Sequence, residues 1–551
     1  PLLDQTPIPQ FHRSEEEGVS ITWRDLTVTT KAGRPLIKNV NGIAVPGMMT
    51  ALMGASGAGK TTLLNALLAR NTKGLDIRGQ ILVNGQTVGK GVTEVSAYVQ
   101  QEDIFVGTLT VAEHLYMQAN MRLPSEWTSA EKKDRIDKVA AEMLLENSLG
   151  SRIGVPGVAK GISGGELKRL AFATEILADP PVLFADEPTT GLDSHMAMIV
   201  TKRMESLSGD QGKTIVCTIH QPASEIFELF DRILFLAGGR TAFFGTPPEA
   251  VGFFTKCGYG MTDHTNPADH YIKTLAILPG YEEDCKKKCS EICEKFNESS
   301  LKKRMDDEID EFSQKRSLET INKVGWFTLY SMLSLRYAKD NIRKSSVVRA
   351  KVIQKMFMGL FIGLLYRETQ LNQDGISNLK GVLFYFCSEL TYSTVFSIQT
   401  YMPGDFPLLS REYHDGLYPV SAYFCAKITS YLMIFTADGA IMVCIAYFLV
   451  GLVPSVTRFL LTLLICLLIE VSAGSLGVAI CSIAPSYAVA VSITGPLLTV
   501  LSMSGGLFTN VDAMPSFVKW VQYTSWFRYG YESLIINQFT HSRYNNISCS
   551  S

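Results

Sequence analysis

The 551-residue chain is 46% hydrophobic with a mean hydropathy of +0.13, high for a soluble enzyme and long enough for two or more domains. A formal net charge of −2 argues against nucleic-acid binding as the main business. Eleven scattered cysteines, several in apolar runs (Cys387, Cys444, Cys466, Cys481), exclude a disulfide framework. No apolar leader precedes the first domain, and a start at Pro1 suggests a trimmed or partial chain.

The first informative element is Gly54-Ala55-Ser56-Gly57-Ala58-Gly59-Lys60-Thr61, followed by Thr62. It fits G-x-x-x-x-G-K-[ST]. Its glycines let backbone N–H groups converge on phosphates, Lys60 reaches the terminal ones, and Thr61 offers a hydroxyl to Mg²⁺. Farther on, Ser163, Gly164 and Gly165 open a helix, so free N–H groups and the helix dipole point at an anion, with Glu166 next in line. The apolar run Val182–Phe184 reads as a buried parallel strand that ends in Asp186 and Glu187. Carboxylates at such a strand's C-terminal end face the ligand crevice. Asp186 is placed to hold Mg²⁺ and Glu187 to orient the attacking water. His220, after the apolar run Thr214–Ile219, is expected to sense the γ-phosphate. The ordered set predicts binding and hydrolysis of ATP with Mg²⁺.

On these motifs the chain resembles an ATP-binding cassette (ABC) half-transporter, more narrowly the White/ABCG subfamily. The likeness is carried by Asp186-Glu-Pro-Thr-Thr-Gly-Leu-Asp193-Ser, Ile219-His-Gln-Pro222, Asn266-Pro-Ala-Asp269 and Arg411-Glu-Tyr413. Leu275-Ala-Ile-Leu-Pro-Gly280 resembles White proteins in particular. The resemblance implies that Gln101 links Mg²⁺ to the membrane domain and that Asp193 lies in a loop crossing between subunits. It also implies that the Ser163–Glu166 helix acts on the partner's ATP, so two chains must sandwich two nucleotides. Glu166 stands where many ABC proteins have glutamine, as is usual for this subfamily. One departure is that the family's adenine-stacking aromatic should fall near Thr29-Thr30, where neither residue is aromatic; Trp23 lies earlier.

The expected fold is an α/β nucleotide-binding domain of the P-loop ABC ATPase type, residues 1–275, followed by an all-α transmembrane domain of the ABC2 type, residues 346–551. Between them lie a charged cytosolic linker, 276–325, and an amphipathic connecting helix, 326–345, on the membrane surface. Cys285, Cys289 and Cys293 recur every four residues and read as one face of a helix in reducing cytosol. Five apolar stretches follow at roughly 347–366, 381–402, 424–452, 459–483 and 487–508, each reaching the ~20 residues that cross a ~30 Å hydrocarbon core. Arg349, Lys351 and Lys355 place the start of the first in the cytosol. The C-terminus is then outside, where Asn546-Ile-Ser548 fits a glycosylation acceptor. The subfamily's sixth span does not follow before Ser551, so the sequence is either incomplete or a truncated form. A truncated form would be a non-transporting subunit that regulates full-length partners.

The resemblance places a substrate cavity between two halves, lined on this chain by Ser388, Glu389, Tyr392, Thr499 and Ser502, with Leu507 and Phe508 as a plug. Three acids inside spans, Glu389, Asp438 and Glu470, cost ~2.5 kcal/mol or more each if ionised and facing lipid. They should face the bundle, a partner or water, and Glu389 is expected to hydrogen-bond a polar or cationic substrate. The resemblance implies export or granule loading of a small amphipathic molecule: a pigment precursor such as a purine or tryptophan derivative, a sterol or a lipid. It also implies a homodimer or a heterodimer with another half-transporter, in the plasma membrane or an intracellular granule membrane. No nucleic-acid partner is expected.

Overall fold

Two compact units emerge in the computed structural model, which describes residues 18–155, 159–261, 265–314, 324–367, 369, 372–509 and 514–541, with backbone only at 345–347 and 432–436. The first unit takes the chain to Met332 and also includes Arg411–Pro419; the second takes Leu333–Ser410 and the residues after Pro419. Asn546 lies outside the described residues.

In the first unit β1 (Ile21–Thr30), β2 (Pro35–Ala44), β3 (Met49–Gly54), β4 (Leu75–Val83), β5 (Ser96–Val99), β6 (Val182–Asp186), β7 (Thr214–Thr218), β8 (Arg232–Ala237) and β9 (Arg240–Gly245) form two sheets. One is antiparallel, in the order β2-β1-β4; the other runs β5-β6-β7-β3-β8-β9 and is parallel until β9. Every residue of β3, β6 and β7 is buried, as expected for strands covered on both faces. Helices α1 (Lys60–Leu67), α2 (Val111–Arg122), α3 (Ser129–Glu142), α4 (Gly164–Ile176), α5 (Ser194–Gly209), α6 (Ser224–Phe227), α7 (Pro247–Lys256) and α8 (Pro267–Thr274) surround them. Trp23 is fully buried in β1. A Cβ at Gly42 would lie 2.3 Å from its ring, so the indole fills the antiparallel sheet's core.

The boundary expected at 275 shifts, because the stretch expected as a linker is part of this unit. Its helices α9 (Glu282–Asn297) and α10 (Ser300–Phe312) pack on the cassette's sheets. On α9, Cys285, Cys289, Ile292, Cys293 and Phe296 form one buried face, and Phe296 meets Phe243 and Phe253 at ring distances of 6.2 and 6.0 Å. Burial pushes the Cys293 thiol up to about 11, which suits a packing role. Ion pairs tie α10 down: Arg24–Asp310 at 2.7 Å, Arg232–Glu308 at 2.5 Å and Arg304–Glu249 at 2.6 Å. Three of the charges that read as a solvated linker, Arg304, Glu308 and Asp310, are these anchors.

The second unit is helical. It comprises most of α11 (Trp326–Arg343), then α12 (Ser345–Leu365), α13 (Gln373–Tyr401), the start of α14 (Phe406–His414), α15 (Val420–Val450), α16 (Val456–Ile483), α17 (Tyr487–Met503) and α18 (Trp526–Phe539). The five apolar stretches fall on α12, α13, α15, α16 and α17. Among the described residues, α16 alone is both long and apolar enough to cross a membrane by composition; Ala437–Val450 and α17 are shorter apolar segments. Gly359-x-x-x-Gly363 lets α12 touch α15: a Cβ at Gly359 would lie 2.9 Å from Met442 O, and one at Gly363 2.6 Å from Leu449 Cβ. Gly474 and Gly477 of α16 face Ile398 on α13, where a Cβ would make ordinary contact at 3.4 Å.

Candidate ATP site and its relatives

The phosphate loop joins β3 to α1 at the centre of the parallel sheet, where strand order puts the C-terminal end of β3 beside that of β7, with β6 one strand farther. Gly57 and Gly59 sit at φ 76° and 105°, a left-handed backbone that turns successive N–H groups toward one point. Lys60 Nζ donates to Gly54 O at 2.8 Å and Ala55 O at 3.2 Å, which holds the ammonium over the loop. Burial lowers the Lys60 pKa, and the nearby Glu187 and Asp186 charges oppose that shift. Ser56, Gly57 and Thr61 are exposed at the mouth, while Ala55, Gly59 and Thr62 are half-buried and Ala58 is buried.

Asp186 ends β6, opposite Thr218 of β7 in register, and is buried. The Thr218 hydroxyl donates to Asp186 Oδ1 at 2.5 Å and accepts from Glu187 N at 2.8 Å. Tyr98 of β5 donates its hydroxyl to Asp186 Oδ2 at 3.3 Å. Burial raises the Asp186 carboxyl, and the Thr218 hydrogen bond pulls against it. Glu187 sits at φ 48°, a conformation that costs a non-glycine residue about 1–3 kcal/mol and persists where the surroundings enforce it. Its Oε2 accepts from Gln101 Nε2 at 2.9 Å and from Thr190 Oγ1 at 3.0 Å. Lys60, Gln101, Asp186 and Glu187 are thus brought together. His220 follows β7 with its side chain exposed. Thr61, Gln101 and Asp186 supply only oxygen donors, the chemistry that suits Mg²⁺.

Ser163 caps α4 in a reciprocal box: its Oγ accepts from Glu166 N at 3.3 Å, and its N–H donates to Glu166 Oε2 at 2.8 Å. The Ser148 hydroxyl also donates to Glu166, and these bonds hold its carboxyl below the usual range. Ser163 and Gly164 are exposed, so the helix N-terminus is open to solvent. Asp193 caps α5 by accepting from Met196 N at 2.9 Å.

Sequence reasoning missed several supports. Lys168, two residues past Glu166, donates to Gln100 O at 3.1 Å, Gln101 O at 3.0 Å and Asp103 at 3.2 Å, fixing the loop that presents Gln101. Asn266 reaches Pro222 O at 2.8 Å and so ties its own motif to the one after β7. Arg411 donates to Ile104 O at 2.8 Å and lies 5.3 Å over the Phe105 ring; Glu412 accepts from Tyr418 at 2.5 Å and Gln118 at 3.3 Å. The Thr218 signal was its place two residues before His220.

In the second unit Glu389, expected to hydrogen-bond a substrate, has partners within the helices. It pairs with Lys355 of α12 at 3.0 Å and accepts from Tyr385 at 3.4 Å, because a lysine buried among helices needs a counter-ion. Glu470 is buried against α15 where Gly439 leaves room: a Cβ there would lie 2.2 Å from its Oε1. Asp438, next to that glycine, is buried too. Ser388 and Tyr392 are half-buried, Ser502 is buried, and Thr499, Leu507 and Phe508 are exposed. The Phe508 ring packs edge-on to Phe384 at 5.2 Å.

Three family matches cover the chain: ABC transporter over residues 37–190, and ABC-2 type transporter over 220–296 and 328–539. The chain is 40% identical to the ABC transporter ATP-binding protein/permease wht-3 of Caenorhabditis elegans over 95% of itself and 86% of that protein. It is 40% identical to protein white of Drosophila melanogaster, over 94% of this chain and 76% of that one. It is also 34% identical to the broad substrate specificity ATP-binding cassette transporter ABCG2 of Bos taurus, over 92% and 80%. With an ATP-hydrolysing cassette ahead of a helical ABC2 membrane domain, the chain belongs to the White/ABCG-type half-transporters of the ABC family.

Proposed function

We propose that two copies of this chain, or one copy and a related half-transporter, clamp two ATP molecules and move a small amphipathic molecule across a membrane. The carrying observation is the outward-facing N-terminus of α4. The first-turn N–H groups after the cap, at exposed Gly164 and half-buried Gly165, put the positive end of the helix dipole at the surface, which suits the phosphates of a nucleotide held by a second cassette. Asp193, in the exposed loop before α5, suits the same seam.

Within each site the phosphate loop and Lys60 bind and orient the phosphates. Thr61, Asp186 and Gln101 would hold Mg²⁺, which when bound neutralises phosphate charge. Glu187, fixed by Gln101, Thr190 and the Thr218 hydroxyl, orients a water and takes its proton as the β–γ bridge breaks to ADP and phosphate. His220, exposed at the end of β7, faces the γ-phosphate and reports its loss.

The five helices α12, α13, α15, α16 and α17 span the bilayer, and α11 lies along its cytosolic surface, with Phe327 and Ile342 exposed. Ser388, Tyr392, Thr499 and Ser502 line the substrate path, with Leu507 and Phe508 above it. The exposed face of α17 at Thr499, Val500 and Met503 supports a wall completed by the second subunit. A bovine relative of broad substrate specificity supports a path that admits more than one molecule. The membrane is the plasma membrane or that of an intracellular granule.

In the full chain reconstituted in lipid, Glu187→Gln should lower phosphate release at least about a hundredfold. It should also accumulate cassette pairs that cross-link only with ATP, and Ser163→Arg should abolish that cross-linking. Full turnover by a lone subunit, with no ATP-dependent cross-link, would overturn the reading.

A further inference from the structure

Arg70 stands outside every motif, yet the backbone around it is unusual. It follows α1, the helix that starts at Lys60, and lies between Ala69 at φ 51° and Asn71 at φ 50°. Two non-glycine residues in the left-handed region flanking one side chain mean that the surroundings dictate where it points. The Arg70 guanidinium lies 4.8 Å over the Tyr98 ring and pairs with Asp415, both charged side chains being about 95% buried (6% and 5% exposed). Asp415 belongs to Arg411–Pro419, which packs in the cassette's unit but is joined in sequence to α13 and α15.

Tyr98 in turn donates to Asp186 Oδ2, while Thr218 donates to Oδ1. Two donors from two flanking strands therefore fix both oxygens of the carboxylate. Arg70 Nε and Asp415 Oδ2 are buried and find no hydrogen-bond partner among the described residues. A half-made buried ion pair of this kind has a second, two-bond arrangement open to it.

We infer that Arg70 and Tyr98 are positioning residues that tie Asp186 to the 411–419 segment, along the path Asp186–Tyr98–Arg70–Asp415. When the segment shifts, Arg70 moves off the Tyr98 ring, and the hydrogen bond that orients Asp186 loosens. The cassette thereby grips Mg²⁺ according to where the segment sits, and by linkage Mg²⁺ affects the segment equally. This rests on Asp186 being the Mg²⁺ carboxylate.

The test is ATP hydrolysis by the full chain in lipid, titrated with Mg²⁺ at saturating ATP. Tyr98→Phe should raise the half-saturating Mg²⁺ about three- to tenfold, the net size of one ordinary hydrogen bond, and leave kcat within about twofold. Arg70→Met combined with Asp415→Leu removes both charges, so neither is left buried alone, and should shift Mg²⁺ the same way. Combined with Tyr98→Phe it should add nothing further, since the residues act in series. Arg70→Lys keeps the ion pair but loses the planar stacking on the ring, and should shift Mg²⁺ without lowering the unfolding midpoint. Independent, multiplying effects, or an unchanged Mg²⁺ midpoint in both Arg70 variants, would overturn the relay. Asp186→Asn separates the two ideas: wild-type Mg²⁺ dependence in that variant would remove the metal assignment itself, whereas its loss with silent Arg70 variants removes only the relay.

Discussion

The two units hold their strain in different places. All nine non-glycine residues with positive φ among the described residues, Glu187, Gln221, Ala69 and Asn71 included, lie in the first unit, and none lies in the second. The cassette aims single groups by bending backbone at strand ends, so its chemistry is concentrated in short loops. The helical unit keeps regular backbone and works instead through small residues that let helices touch and through charges paired across them. A carboxylate shows the contrast. Asp186 is held by hydroxyl donors at a strand end; Glu389 is held by an ammonium from the next helix.

That contrast can be broken most severely in the helical unit. Lys355→Met should leave the half-buried Glu389 without its counter-ion and cost up to about 3 kcal/mol, seen as loss of monodisperse protein after detergent extraction. Adding Glu389→Gln should recover most of it; no recovery would mean that the pair is not what holds α12 to α13. Gly359→Leu should cost about 1–3 kcal/mol by wedging α12 from α15, measured as a lower thermal midpoint, with the cassette's nucleotide affinity unchanged.

The smallest effect sharpens the cassette side. The Arg304 fork holds the Glu249 carboxyl down at about 2. A carboxyl lowered in the folded state adds stability above its ordinary value near 4.5, and that gain is lost as pH falls from there toward 2. The site is largely solvent-screened, so Arg304→Ala should lower stability by under about 1 kcal/mol at pH 7 and by nothing measurable near pH 2. Hydrogen exchange along α10 would follow it, and an equal loss at both pH values would show that packing, rather than charge, anchors the helix.

The same contrast explains what could be read from the residues alone. The phosphate loop, Asp186, Glu187 and the Ser163 cap are local: a few consecutive residues carry both the turn and the chemistry. Tyr98 and Thr218 meet Asp186 only through the β5–β6–β7 register, which no motif records. Arg70 and Asp415 are 345 residues apart, and their pairing depends on a segment folding back into another unit. The packing of 276–325 was not legible because three of its many charges, Arg304, Glu308 and Asp310 on α10, meet partners far away in sequence. The Lys355–Glu389 pair was not legible for a related reason: the partners lie on different helices, and helical periodicity says nothing about neighbours.

The return of Arg411–Pro419 into the first unit also orders events at the ribosome. Residues 333–410 must be made before the partners of Arg70 and Gln118 exist, a delay of roughly 4 to 16 s at ~5–20 residues per second. The nascent ATPase is therefore unfinished until α12 and α13 have been synthesised. A chain whose early helices go astray would carry a conspicuously incomplete cassette, a mark by which cellular quality control could recognise it.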